Sequence, residues 1–302
     1  MPHLAMLIAM AFGASSFTAG KAAVAELPAS EVLAARFVIG ALILWLVLIA
    51  LRQRLKPDRY DGRAFVVGLF EPGLGSVLAF WGLTLTTAVH ATVLFAWSPL
   101  LQAVLARVIL KERLMPEVVA GAVLALAGTV WLVSDRLDDT SGSLVGGAMC
   151  MVGLISMSIA QLALRRVAQA RGRPIAAAAW QLTGSALAAF AAMALIEWPI
   201  LGITWRASAD ADVWFVIVYL AIFVTAAVFA LTNYALRHLP VGLAGLYYVL
   251  LAPLGVPIAV IFLGESVSAA DLGAIGLIAF GVALPSITGV PMIARLIGRA
   301  RA

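Results

Sequence analysis

The chain has 302 residues, 64% hydrophobic and only 12% charged, with a mean hydropathy of +1.07. A soluble domain carries about twice that share of charge, and a water-facing surface this apolar would aggregate, so the composition excludes a soluble globular protein and points to lipid as the solvent. The net charge of +5 would suit nucleic acid if the cations shared one face, but they fall in short loops between apolar stretches, and the single cysteine, Cys150, can make no intrachain disulfide.

A membrane helix needs about 20 mostly apolar residues. In chain order the sequence predicts ten such spans, over 4–25, 30–51, 64–86, 91–110, 116–134, 144–164, 174–196, 213–234, 241–263 and 269–287. The first follows Met1-Pro2-His3, which lacks the basic n-region of a secretory signal, so it is expected to be a retained helix. The longest connection, 197–212, is too short to fold alone. With the N-terminus placed inside, fifteen of the twenty basic residues lie in inner loops or the tail, as the positive-inside rule demands. They are Arg52, Arg54, Lys56, Arg59, Arg63, Lys111, Arg113, Arg165, Arg166, Arg171, Arg173, Arg237, Arg295, Arg299 and Arg301. The expectation is an integral, multi-pass protein of a bacterial inner membrane with both termini cytoplasmic.

The two halves of the chain resemble each other. Gly13, Ser16 and Thr18 match Gly153, Ser156 and Ser158 at an offset of 140, and Phe70, Trp81, Glu112 and Gly128 match Phe223, Tyr234, Glu265 and Gly281 at an offset of 153. Five helices per half is an odd number, so the second half sits upside down. The expected fold is an all-α polytopic membrane protein with ten transmembrane helices in two inverted five-helix repeats, 1–136 and 137–290, followed by a basic cytoplasmic tail, 291–302. Inverted repeats are a common transporter construction, because exchanging the conformations of the halves alternates access.

Phe12-Gly13-Ala14-Ser15-Ser16-Phe17, Lys21, Leu27-Pro28 and Ala35-Arg36-Phe37 resemble the first hairpin of the drug/metabolite transporter superfamily, in its EamA branch. Trp97-Ser98-Pro99-Leu100 with Leu110-Lys111-Glu112-Arg113-Leu114 resembles its fourth helix and exit. Asn233-Tyr234-Ala235-Leu236-Arg237, Ala252-Pro253-Leu254 and Leu263-Gly264-Glu265 resemble the second copy. The resemblance covers nearly the whole chain. It implies a central cavity lined by helices 1, 3, 4, 6, 8 and 9, and export of amino acids or similar small metabolites without ATP. Glu71-Pro72 departs from a stretch that is usually small and uncharged in that family.

Glu71 is the sharpest candidate site residue. It lies ~12 Å beyond Arg63 at 1.5 Å per residue, where a carboxylate is costly and faces a cavity or a partner. Pro72 frees a backbone carbonyl one turn earlier. A proton-titrating or amine-binding role stands beside a structural pairing with a loop arginine. Ser16, Thr18, Ser156 and Ser158 offer hydroxyls, with Lys21 and Gln161 at equivalent places one turn on; small hydroxyl residues also simply let helices pack. Trp81, Trp97, Tyr234, Tyr247 and Tyr248 are a candidate aromatic wall, with Asn233 and Thr225 secondary. Arg36 and Lys21 are expected to pair with Glu26 or Glu31. Glu112 and Glu265 follow helices 4 and 9 as architectural residues, and Ser268 to Asp271 reads as a capping box.

These readings converge on a secondary transporter of small solutes, with protons as a candidate coupling ion, no cofactor and no nucleic acid. Export of aromatic or hydrophobic amino acids rests on the resemblance. A non-transporting membrane scaffold or sensor is the competing class. An intramembrane hydrolase fits less well, since no Gly-x-Ser-x-Gly motif or deep histidine accompanies the serines. No phosphate-cradling loop argues for ATP, and His3, His90 and His238 are scattered, with no set of metal ligands.

Overall fold

The computed structural model describes the chain except residues 54, 96, 111–115, 135–143, 171–172, 200–201, 203–209, 239–246, 282 and 285–302. All regular structure among the described residues is helical. We number the helices α1 (Pro2–Val24), α2 (Ala29–Ala50), α3 (Arg59–Leu85), α4 (Ala88–Ile109), α5 (Pro116–Ser134), α6 (Leu144–Ala170), α7 (Pro174–Glu197), α8 (Ala211–His238), α9 (Leu251–Leu263) and α10 (Ala269–Gly281). Seven of them (α1–α4 and α6–α8) are long and apolar enough to cross a membrane, and α5, α9 and α10 contain shorter apolar stretches. Each predicted span overlaps a helix. The helices overrun the predicted bounds most at the start of α3 (Arg59), the end of α6 (Ala170) and the end of α8 (His238), and the first residues of the ninth span and the last of the tenth lie outside the described residues, as do Glu112 and the basic tail.

The burial pattern is that of a bundle in lipid. Leu42, Leu46 and Ile49 of α2, Val119, Val123, Leu126 and Val130 of α5, and Ile261 and Phe262 of α9 are exposed, while Arg36, Glu71, Gln181, Thr225 and Asn233 are buried. Lipid tails solvate the apolar faces, so helix association rests on close packing at small residues. The contacts are tightest there. A Cβ added at Gly75 would lie 3.0 Å from the Gly153 carbonyl, and one at Gly82 would lie 2.5 Å from that of Gly146, so α3 and α6 meet backbone to backbone. Between α3 and α7, a Cβ at Gly68 would overlap the Gln181 carbonyl.

The α5–α10 contact carries the signature of an inverted pair. A Cβ at Gly128 would lie 2.9 Å from the Ala274 carbonyl, and one at Gly281 would lie 2.6 Å from the Gly121 carbonyl. Gly121 and Gly128 become Ala274 and Gly281 when 153 residues are added. Each contact is therefore the image of the other, as a two-fold axis between the repeats requires.

Several long helices are interrupted, α7 among them in a π segment over Met193–Glu197. In α1 the helix breaks at Ser15, whose Oγ donates to the Phe12 carbonyl at 2.7 Å and meets the Tyr219 hydroxyl at 2.7 Å; such back-bonding bends helices. In α3, Leu69–Leu74 is a π segment with Glu71 at φ −132°, ψ 114°, outside helical values, as expected of a residue before proline. In α8, Leu220–Ala227 is a π segment as well. Adding 153 to 69–74 gives 222–227, so the third helix of each repeat is distorted at the same place.

Two helix starts are capped by carboxylates, one locally and one from across the fold. Asp58 accepts from the amides of Tyr60 and Asp61 at 2.8 and 3.1 Å to start α3. Glu265 accepts from the amides of Ala88 and Val89 at 2.8 and 2.9 Å, which makes it the N-terminal cap of α4. The expected capping box forms: Ser268 N–H donates to Asp271 at 2.8 Å and Asp271 N–H to Ser268 Oγ at 3.0 Å.

Candidate functional site

Pro72 has no N–H to give the Gly68 carbonyl, its natural partner one turn earlier. Ser185 of α7 sits against that carbonyl, with Oγ 2.8 Å from it and 2.9 Å from the Gln181 carbonyl of its own helix. The break holds Glu71 buried in the middle of α3. Gln161 Nε2 of α6 donates to Glu71 Oε1 at 2.7 Å. Gln181 Nε2 of α7 donates to the Glu71 carbonyl at 2.9 Å and to Oε2 at 3.2 Å.

These contacts extend in both directions. Gln102 of α4 donates to Gln161 Oε1 and, at 3.1 Å, to Ser98 Oγ. Tyr248, just ahead of α9, lies near Gln161 and Glu71. On the other side, Asn233 Nδ2 of α8 reaches Gln181 Oε1 at 3.4 Å, while its own Oδ1 is buried without a partner among the described residues. One polar chain, Ser98–Gln102–Gln161–Glu71–Gln181–Asn233, therefore links α3, α4, α6, α7 and α8. A carboxylate so placed has its oxygens oriented by neutral amides, which leaves the site able to take a proton or a cationic group without breaking an ion pair.

The structure gathers Glu71, Gln161, Asn233 and Tyr248 from the sequence candidates and spreads the others. Trp81 lies toward the C-terminal end of α3, where its Nε1 donates to Glu197 Oε1 at 2.7 Å. Tyr247 hydrogen-bonds His3 at 2.7 Å. Tyr234 stacks on His238 with ring centroids 4.5 Å apart. Trp97 packs against the cluster built on Phe17, Leu83, Val89 and Ile278. Ser16 accepts from Arg36; the Thr18 and Ser158 hydroxyls are buried without partners among the described residues, and Ser156 is half-buried.

Among the described residues, Lys21 and Arg36 are bonded to carbonyls and hydroxyls in place of the expected pairing with Glu26 or Glu31. Lys21 Nζ donates to the carbonyls of Leu83 and Thr86, each at 2.7 Å, beside the Glu265 carboxylate. Arg36 donates through Nε to Thr225 Oγ1 at 2.5 Å and through Nη1 to Ser16 Oγ at 3.4 Å. In both cases the break or end of a neighbouring helix presents the oxygen acceptors.

Sequence reading missed Gln181, the hub of the chain of amides, and Gln102. Each is a lone amide deep in an apolar span, the same feature that singled out Gln161. It also missed Glu197, which accepts from Trp81 and from the Ser30 amide at 3.1 Å. Glu197 lines a cavity of about 710 Å³ with Glu26, Pro28, Trp81, Thr84 and Met149, at the ends of α1, α3 and α7 and the starts of α2 and α6. Those five ends share one membrane face if the spans alternate as predicted. Among the described residues, no cluster of His, Cys, Asp and Glu forms a metal site.

A solved crystal structure superposes on the chain with a TM-score of 0.69 at 23% identity, covering 98% of each; at that identity the likeness speaks for the fold. No curated protein matches. The EamA-like transporter family model matches residues 1–134 and again 144–287, one match for each half of the internal repeat. With nearly the whole chain accounted for in two copies, the protein belongs to the EamA-like transporter family, a family of membrane transporters of small solutes.

Proposed function

We propose that the protein is a secondary exporter of aromatic or hydrophobic amino acids, or of closely similar metabolites, that works by alternating access of the repeats 1–136 and 137–290. It does so in a bacterial inner membrane with both termini cytoplasmic and all ten helices spanning. The observation that carries this reading is Glu71: a buried carboxylate at the break of α3, oriented by Gln161 and Gln181. Irregular backbone at membrane depth is tolerated where it is enclosed by protein or lines a cavity. Transporters place their solute sites at such breaks near the midplane. In this reading Glu71 takes up the solute ammonium group or a coupling proton, and Gln161, Gln181 and Tyr248 hold it in position. Ser16, Thr18, Ser156, Ser158, Asn233 and Tyr234 line the path as the repeats exchange conformations, and Trp81, Trp97 and Tyr247 flank it.

The test is flux of labelled L-phenylalanine in proteoliposomes across a pH series. Wild-type protein gives saturable flux that depends on pH. Glu71→Gln keeps the shape and part of the hydrogen bonding but cannot ionise, so its flux is reduced and flat with pH. Saturable flux with the same pH profile in Glu71→Gln removes Glu71 from the coupling step. Absence of saturable flux for every amino acid tried removes the substrate assignment.

A further inference from the structure

Arg36 is 5% exposed and stands seven residues into α2, roughly 10 Å from its N-terminal end. A guanidinium has five N–H donors. Two bonds are made, to Thr225 of α8 and Ser16 of α1, and no carboxylate pairs with the cation among the described residues. The remaining donors lie on Nη1 and Nη2. The rings of Phe37 and Phe80 flank the group, each with its centroid 5.7 Å from the guanidinium carbon.

An unpaired cation inside a membrane span is expensive and is retained for a role. Two further features meet at this one. Ser16 follows the one-residue break of α1 at Ser15, so the guanidinium is bonded to a side chain at that break. Thr225 belongs to the π segment of α8, an element that an exchange of repeat conformations would reshape. A planar fork with open donors matches a carboxylate in two-point geometry.

We propose that Arg36, with Ser16 and Thr225, forms a carboxylate-binding subsite between α1, α2 and α8, taking the anionic end of an organic acid or zwitterionic solute, with Phe80 against its apolar body. The subsite deepens the transport reading and rests on it for its place on a path; binding itself does not require flux. Glu71 and Phe80 are nine residues apart on α3, about 13 Å, so the two charged sites are successive stations and not two ends of one small amino acid.

The experiment is thermal unfolding of the purified full chain with 3-phenylpropionate and with its uncharged isostere 3-phenylpropanamide. The acid raises the midpoint and the amide does not. In Arg36→Lys, which keeps the charge but loses the fork, the half-maximal acid concentration rises at least about tenfold. In Arg36→Gln the distinction between acid and amide disappears, and in Lys21→Gln it remains. Equal effects of acid and amide on wild type, or an unchanged acid response in Arg36→Lys, overturn the subsite. Phenylalanine flux without acid stabilisation sinks the subsite and leaves the exporter; acid stabilisation without flux does the reverse.

Discussion

The π segments of α3 and α8 occupy equivalent places in the two repeats, yet they carry different chemistry. In α3 the segment holds Glu71 and Pro72, and neutral amides from α6 and α7 converge on it. In α8 the equivalent positions are Val224 and Thr225, and Thr225 receives a cation, Arg36, from α2. The backbone distortion is thus symmetric while the charge is not. A duplicated fold supplies two weak points in its helices; side chains then make one a carboxylate site and the other an acceptor for a guanidinium. The transport cycle proposed above needs both the shared geometry and the difference.

The largest effect tests the geometry on the α3 side. Gly68→Ala drives a Cβ into the Gln181 carbonyl, where only backbone movement gives relief. The cost is on the order of 3 kcal/mol, read as lost folded protein in detergent unfolding. Its repeat counterpart Ala221 already carries a Cβ, so Ala221→Gly changes stability far less; equal losses would break the comparison. Next is Gln181→Leu, which strips Glu71 and Asn233 of a shared partner at once. Two to three interhelical bonds at about 0.6–1.7 kcal/mol each give a loss of roughly 2 kcal/mol, measured in the same assay. Thr225→Val removes the acceptor of Arg36 on the α8 side and costs about 1.5 kcal/mol as a charge-assisted bond. A loss as large as that of Gln181→Leu would make the Arg36 contact a structural strut comparable with the Glu71 network. The smallest is Ser185→Ala, which removes the hydroxyl shared by the Gly68 and Gln181 carbonyls, at about 1 kcal/mol; Ser185→Thr retains the hydroxyl and restores most of it.

Glu71 was legible from the sequence because charge in an apolar span is conspicuous, and Pro72 announced the break. Its partners were legible only in part. Gln161 stood out through its place beside the repeated serines, whereas Gln181 lies in an alanine-rich stretch whose four sides look alike. The same ambiguity hid the Arg36–Thr225 contact and the Trp81–Glu197 bond, and it made an aromatic wall out of residues that sit in different parts of the bundle.

The sequence by itself determined the solvent, the placement of the helices and the duplication, since transfer of apolar residues into lipid adds up along the chain and a repeat is visible as spacing. The tertiary structure decided which polar groups meet. In lipid there is no polar face to mark which side of a helix turns outward, so facing is set by where small residues allow backbones to touch. Gly68 against Gln181, Gly82 against Gly146 and Gly128 against Ala274 fix the rotation of each helix, and with it the side chains that end at the centre.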